Sequence, residues 1–173
     1  DKSYERSVLR VAKTLHDLWG YGSRGQFHSV DFSPLSQEIS EKVTERYRQV
    51  VLKRQFYGAA CSLAAQIDAK AIVTGECIGQ VSSQTLINLA VIENGCLLPV
   101  LRPLVGFDKL EIINMCRRIG THDLSKSIPE FCSLVPRRPA TAAKLDIILE
   151  EEAKLESGRF DKVQSSCKTF DLG

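Results

Sequence analysis

The amino-acid sequence predicts an α/β fold with a parallel β-sheet, and two observations carry that prediction. Short apolar runs at 70–73 and 97–101 have the length of buried strands, and segments with helical spacing of apolar residues flank them. Strands that alternate with helices are joined by right-handed crossovers, so they lie parallel in one sheet. A further strand is predicted over 27–32, and the same reasoning places it in the parallel sheet.

The helices follow from apolar spacing and from the signals at their ends. A first helix begins at Ser3, a good N-cap, and ends at Gly20. Asp108 and Glu111 form a capping box for another helix, which Gly120 closes. The remaining helical segments are predicted at 34–43, 44–67, 86–92 and 141–156.

The last third of the sequence has a different character. A loop with three prolines is predicted over 121–139, and the charged helix 141–156 follows it. We expect the acidic run 150–152 to be a solvated face of that helix, with Leu145, Ile148 and Leu149 pointing inward. The predicted domain spans 1–157, and 158–173 is predicted to be a tail or a linker to another domain.

Composition excludes several classes of protein. With 43% apolar and 25% charged residues, the 173-residue chain is expected to form a globular domain. The net charge of +2 is too small to indicate nucleic-acid binding by itself. No apolar run approaches the ~20 residues of a membrane span, which predicts a cytoplasmic protein without membrane contact.

Two further features are read from single residue types. The cysteines are spread without a C-x-x-C pair, so we predict thiols rather than a metal site or a disulfide scaffold. The chain begins with Asp1, and its single methionine, Met115, lies in a helical segment. We therefore expect it to be part of a longer protein.

The most informative segment is the glycine- and amide-rich turn 74–85, which follows the strand at 70–73. It lies at the carboxyl end of a buried strand, where open α/β sheets bind their ligands. Gly75 and Gly79 allow a bound group to approach the backbone, and Thr85 can cap the next helix. Spacing alone leaves two interpretations open, a nucleotide pocket or an ordinary strand-to-helix connection.

Three motifs together resemble one family, the ThiI-type tRNA 4-thiouridine synthetases, also called tRNA sulfurtransferases. They are the turn 74–85, the tetrapeptide 101–104 followed by Asp108-Lys109, and the segment 128–132, Ile-Pro-Glu-Phe-Cys. The likeness runs in order from about residue 7 to residue 156. It implies a Rossmann-like, pyrophosphatase-loop domain of the adenine-nucleotide α-hydrolase class, incomplete at its N-terminus. Such enzymes use ATP and Mg²⁺ to adenylate uridine at position eight of tRNA, and persulfide sulfur then displaces AMP.

The resemblance also implies site residues. Nucleotide contacts in the family fall on positions that match Lys53, Gly75 and Gln84. For Lys53 the alternative is a solvent-facing lysine on a helix, and the resemblance favours the nucleotide contact. The further cofactor-binding candidates are Glu76, for magnesium or a ribose hydroxyl, Gln80 on the same turn, and Arg102, for a phosphate or the tRNA backbone. Glu76 and Arg102 can equally be members of a structural salt bridge.

Cys132 is the candidate for sulfur chemistry. It lies in a proline-containing loop, and the nearby Arg137 and Arg138 favour its thiolate form. In family members with a rhodanese domain, the matching cysteine forms a disulfide with the rhodanese cysteine after sulfur delivery, which implies a resolving role. Cys61 and Cys116 lie on apolar helix faces and are expected to be inert.

The departures from the family pattern shape the remaining expectations. The Ser-Gly-Gly-x-Asp-Ser loop, the upstream THUMP domain and the downstream rhodanese domain are absent from the sequence, so the chain alone is expected to be inactive. The implied partners are tRNA and a persulfide donor, for which the resemblance implies a cysteine desulfurase and a rhodanese-type domain. An unpaired sheet edge further allows a homodimer, and a role in thiamine thiazole synthesis is also implied. The alternatives are a non-catalytic tRNA-binding or scaffold protein and another ATP-dependent thiolation or amidation enzyme of this fold.

Overall fold

The structure is a computed structural model that describes residues 2–79, 84–128, 134 and 136–173. Two predicted site residues, Gln80 and Cys132, lie outside the described residues. The described residues of the chain belong to two compact units. One unit contains residues 2–30, 108–128 and 167–173, and the other contains 31–79, 84–107, 134 and 136–166. No helix within these ranges is both long enough and apolar enough to cross a lipid bilayer.

The helices are α1 (Lys2–Trp19), α2 (Ser33–Lys42), α3 (Arg48–Gln66), α4 (Leu86–Glu93), α5 (Lys109–Ile119), α6 (His122–Lys126), α7 (Leu145–Glu152) and α8 (Arg159–Ser165). A 3-10 turn, Glu45–Tyr47, leads into α3. The strands are β1 (Gln26–Ser29), β2 (Ile72–Val73), β3 (Val100–Leu101) and β4 (Lys168–Asp171). Sequence analysis assigned α6 to a loop, because a helix of five residues is too short to show a helical period.

The predicted parallel pairing is confirmed for β2 and β3. Ile72 pairs with Val100 and Val73 with Leu101, and α4 lies between the two strands in the chain. The expectation that β1 joins this sheet is wrong, because β1 pairs antiparallel with β4. Phe27 and Phe170 face each other across that pair, with ring centroids 6.0 Å apart, and such an aromatic pair stabilises an antiparallel ladder.

Helix α3 is the centre of the larger unit, since α2, α4, α7 and α8 all pack against it. Its buried residues lie on several sides of the helix rather than on one stripe, as expected for a helix surrounded by others. They are Val50, Val51, Gln55, Tyr57, Ala59 and Ala64.

The predicted signals at the ends of α5 are confirmed. The Asp108 carboxylate accepts a hydrogen bond from Glu111 N at 2.9 Å, and the Glu111 carboxylate accepts one from Asp108 N at 2.7 Å. Gly120 closes the helix in the left-handed conformation, with a φ of 84°. Ser3, by contrast, lies inside α1 and is not its N-cap.

The acidic run 150–152 is not the solvated face that the sequence predicted. The Glu151 carboxylate is buried and accepts hydrogen bonds from Thr44 N at 2.9 Å and Thr44 Oγ1 at 2.6 Å. Burial would raise the pKa of Glu151, but the hydrogen bonds from Lys154 and Thr44 outweigh it and the pKa is lowered. Glu152 forms a salt bridge with Arg54 of α3, with Nε and Oε1 2.9 Å apart. Leu149, which was expected to point inward, is exposed.

The segment 158–173, predicted as a tail or linker, contains regular structure. Helix α8 packs on α3, and β4 pairs with β1. The division of the protein into domains at residue 157 remains a prediction.

Gly58 of α3 allows the ring of Phe160 to pack directly against the helix. A Cβ atom at position 58 would lie 2.4 Å from Phe160 Cζ, which is closer than van der Waals contact allows. We therefore expect Gly58→Ala to lower the free energy of unfolding by about 1–3 kcal/mol through overpacking. Urea denaturation would measure the change. Gly106→Ala is the matched control, because a Cβ there meets no described atom within 4 Å, and equal midpoints for the two variants would contradict the prediction.

Candidate functional site

The candidate site lies where β2 and β3 end. Thr74 N donates to Leu101 O at 3.0 Å and Ile78 N donates to Val105 O at 3.1 Å, so the turn after β2 runs beside the segment that follows β3. The carboxyl ends of parallel strands meet at one edge of a sheet. This edge brings the predicted residues Glu76 and Arg102 together, and α3 adds Lys53.

Glu76 is the centre of a hydrogen-bonded network. Its side chain is buried, with 8% relative exposure of the residue, and it accepts four hydrogen bonds from the described part of the chain. Lys53 Nζ donates to Oε1 at 2.9 Å. The other three donors bind Oε2: Tyr57 Oη at 2.5 Å, Arg102 Nε at 3.1 Å and Thr74 Oγ1 at 3.3 Å.

Arg102 connects this carboxylate to its surroundings. Besides Glu76, its guanidinium donates through Nη1 to Glu93 Oε2 at 2.7 Å and through Nη2 to Tyr57 Oη at 3.1 Å. All three of its nitrogens are therefore bound to protein atoms. Of the two roles that the sequence left open for Glu76 and Arg102, the geometry shows a salt bridge between them.

The charges in the network determine how its members ionise. Burial would raise the pKa of Glu76, but hydrogen bonds from Tyr57, Lys53 and Arg102 and the charge of Lys53 lower it. Burial and the hydrogen bond to Glu76 raise the pKa of Tyr57 to about 12. Burial by itself would lower the pKa of Arg102, but its hydrogen bonds to Glu93 and Glu76 outweigh this effect, so the pKa is raised. At neutral pH the carboxylate is thus ionised and the phenol keeps its proton.

Tyr57 and Glu93 are members of the site that the sequence did not predict. Tyr57 has apolar neighbours on α3, which is typical of a core residue, and it is indeed buried. A signal was available, because a buried tyrosine hydroxyl requires a polar partner and Tyr57 follows Lys53 by one helical turn.

Gly75 and Gly79 differ in whether the backbone conformation requires a glycine. Gly79 has a φ of 79°, a left-handed conformation that explains the residue without any ligand. Gly75 does not have a positive φ, and a Cβ atom built there meets no described atom within 4 Å. Neither backbone strain nor the described protein atoms require glycine at position 75.

Gln84 provides an acceptor that fits a ligand. Its Oε1 atom is buried, and no described residue donates a hydrogen bond to it. A buried acceptor without a donor is costly, so a partner from outside these residues is expected. An amino group of a nucleotide base has the required N–H.

The helix that begins beside Gln84 holds another segment in place. Thr85 caps α4 by accepting from Asn88 N at 3.1 Å, and its hydroxyl donates to Thr141 O at 2.6 Å. The fully buried Asn88 amide donates to Ala140 O at 2.7 Å and accepts from Ala143 N at 2.9 Å. Residues 140–143, which follow the Cys132 segment in sequence, are thereby fixed to the helix that begins next to the turn.

The other site predictions concern thiols and metals. The described cysteines are free thiols. Burial and the neighbouring Cys96 thiol raise the pKa of Cys61 to about 11, in keeping with the predicted inert role. Within the described ranges, no three His, Cys, Asp or Glu side chains form a cluster that could hold a metal ion.

A polar turn with an open glycine and an amide acceptor that no described residue binds, at the carboxyl edge of parallel strands, is the kind of site at which α/β proteins bind nucleotides. Comparison with known proteins gives the particular family. The family model described as "Thiamine biosynthesis protein (ThiI)" matches residues 2–157. The chain belongs to the ThiI family.

Individual relatives agree with this assignment. The chain is 42% identical over 169 residues to a tRNA sulfurtransferase from Shewanella loihica and 41% identical over 170 residues to one from Yersinia pestis. Each alignment covers 98% of this chain and 35% of the relative, so the chain spans about a third of the length of these curated relatives. A crystal structure of a 4-thiouridine synthetase–RNA complex with bound ATP superposes with a TM-score of 0.89 at 32% identity, over 97% of this chain and 44% of that one. The predicted fold class is confirmed.

Replacing Glu76 should lower the free energy of unfolding of the domain at neutral pH. Glu76→Gln removes the charge that Lys53 and Arg102 pair with, so we expect a loss of roughly 2–4 kcal/mol in the free energy of unfolding. Because the folded pKa of Glu76 is lowered, its contribution is present above the unfolded value of about 4.3 and is lost as the pH falls through the folded pKa. The difference between wild type and variant should therefore shrink in acid.

Urea denaturation of both proteins between neutral and acidic pH measures this effect. The exposed Glu150 provides the matched control, Glu150→Gln, which should change stability little. A difference for Glu76→Gln that stays constant down to the lowest accessible pH would refute the assigned role of the carboxylate charge.

Proposed function

We propose that this chain is part of an ATP-dependent tRNA sulfurtransferase that converts uridine 8 of tRNA to 4-thiouridine. The observation that supports it most is the superposition of almost the whole chain on a 4-thiouridine synthetase whose complex contains RNA and ATP. The proposal assigns to this chain one wall of the ATP pocket and the cysteine that attacks the persulfide of the sulfur donor. Service in thiamine thiazole synthesis is a further proposed role of the same sulfur transfer.

The described residues fit a nucleotide at the strand ends. In the proposal, Lys53 donates from its ammonium group to the nucleotide, Gly75 admits it close to the backbone, and Gln84 Oε1 accepts from an amino hydrogen of the base. Glu76 and Arg102 border this pocket, and Gln80 is a further proposed contact on the turn. ATP, when bound with Mg²⁺, supplies the adenylyl group that makes the C4 oxygen of uridine a leaving group.

Cys132 is proposed to resolve the sulfur donor. Its thiolate attacks the inner sulfur of a protein persulfide, which forms a disulfide between the two proteins and releases hydrosulfide. The hydrosulfide displaces AMP from the adenylated uridine, and a cellular dithiol later reduces the disulfide. The proposal therefore includes as partners tRNA and a persulfide donor, made up of a cysteine desulfurase and a rhodanese-type domain. A cytoplasmic location and a homodimer are also proposed.

A chimera provides the direct test. This chain would replace the matching 169 residues of the Shewanella loihica enzyme, and ATP-dependent sulfur incorporation into tRNA would be assayed in vitro. Formation of 4-thiouridine by the chimera supports the proposal. A chimera that folds and binds tRNA but incorporates no sulfur would instead favour a non-catalytic tRNA-binding protein.

Gly75→Ala separates a ligand requirement from a structural one. Because the added methyl meets no described atom, we expect stability to change by less than about 1 kcal/mol. The KM of the chimera for ATP should rise about tenfold if the nucleotide approaches this backbone. Gly106→Ala adds a methyl to open space elsewhere and is the control. An unchanged KM in Gly75→Ala would remove this residue from the pocket.

Cys132→Ser tests the sulfur step in the same chimera. We expect multiple turnover to be lost while the Kd for ATP stays unchanged, since the serine hydroxyl does not form a disulfide with the donor. Quenched-flow sulfur incorporation under single- and multiple-turnover conditions gives the measurement. Cys167→Ser is the matched control, and equal turnover for the two variants would show that Cys132 has no resolving role.

A further inference from the structure

Tyr57 and Lys53 bind the two oxygens of one carboxylate from the same helix. Residues four apart on a helix lie on the same face, and these two both reach Glu76. Lys53 binds Oε1 and Tyr57 binds Oε2, at 2.9 and 2.5 Å. The orientation of the carboxylate plane therefore sets the place of the ammonium group.

The hydroxyl of Tyr57 closes a ring of hydrogen bonds. It donates to Glu76 and accepts from Arg102 Nη2, while Arg102 Nε binds the same Glu76 oxygen. Arg102 is held in turn by Glu93. Loss of the hydroxyl leaves Oε2 without its shortest bond and leaves Nη2 without this acceptor, so the remaining donors, Lys53, Thr74 and Arg102, hold the carboxylate less firmly.

Burial distinguishes the inner members of the network from Lys53. Tyr57 has 7% relative exposure, whereas the Lys53 side chain is 22% exposed. The Lys53 ammonium has three N–H donors, and one of them binds Glu76. Among the described residues no second acceptor binds this ammonium, and it is more exposed than the guanidinium of Arg102, whose side chain is 13% exposed. Lys53 can therefore offer donors to an anionic ligand.

We infer that Tyr57 is a positioning residue: acting through the Glu76 carboxylate, its hydroxyl holds the Lys53 ammonium where it meets the phosphates of the nucleotide. The inference rests on the proposed function for the identity of the nucleotide. It assigns Tyr57 no contact with the reacting atoms.

The first test reads the position of Lys53 without any activity. Tyr57→Phe keeps the ring and removes only the hydroxyl. The amine of Lys53 would be labelled in this chain with a limiting amount of an acetylating reagent, and modification would be followed by mass spectrometry, with the 78% exposed Lys70 as internal reference. We expect Lys53 to be labelled about threefold faster in Tyr57→Phe, because its acceptor is held less firmly. Tyr21→Phe, at an exposed tyrosine, is the matched control and should change nothing.

The second test uses the chimera and ATP. Tyr57→Phe should raise the KM for ATP about tenfold while kcat changes less than about twofold, since ground-state binding is affected rather than the chemical step. A purely structural role would lower the unfolding midpoint and leave the labelling of Lys53 and the KM unchanged, and that result would overturn the inference. Faster labelling with an unchanged KM would overturn it as well.

The two tests also separate this inference from the proposed function. If the unsubstituted chimera makes no 4-thiouridine, the proposed function fails, and the labelling of Lys53 alone decides whether Tyr57 positions it. Faster labelling then supports the positioning role, and equal labelling refutes it.

Discussion

The geometry of the candidate site depends on one buried carboxylate. A carboxylate that leaves water must regain its hydrogen bonds from the protein, and Glu76 obtains them from α3, from its own turn and from the segment after β3. The parallel strands pair over two residues each, so their ladder provides few constraints. The hydrogen bonds of the side chains around Glu76 therefore contribute much of the stability of the strand ends.

Helix α3 is held by ion pairs and other side-chain contacts on more than one side. Lys53 and Tyr57 face Glu76, whereas the next residue in each case, Arg54 and Gly58, faces other elements. Arg54 also donates to the carbonyl of Asn94 at the end of α4, at 2.8 Å. A helix fixed in this way cannot easily rotate about its axis, which keeps the lysine pointed at the strand ends.

Local signals in the sequence predicted the parts of the fold that depend on neighbours in the chain. The capping box at Asp108, the stop at Gly120 and the β2–β3 pair were all found in this way. The partner of β1 lies more than a hundred residues away in a segment that resembled a linker, so no local pattern could reveal it. The acidic run was misread for a similar reason, because α7 packs against α3 and supplies partners that periodicity does not show. The site residues at the strand ends came from motif resemblance, whereas the tertiary contact of Tyr57 did not.

Helix α4 is connected to both parts of the proposed site, the residue Gln84 and the chain that follows the Cys132 segment. It starts immediately after Gln84, and through Thr85 and Asn88 it also fixes the chain at 140–143, just beyond the Cys132 segment. Any substitution that tilts α4 would shift Gln84 and this anchor together. The proposed nucleotide binding and the proposed sulfur delivery would then vary jointly across a set of α4 variants, and the effects of substitutions at the two ends of the helix would not add.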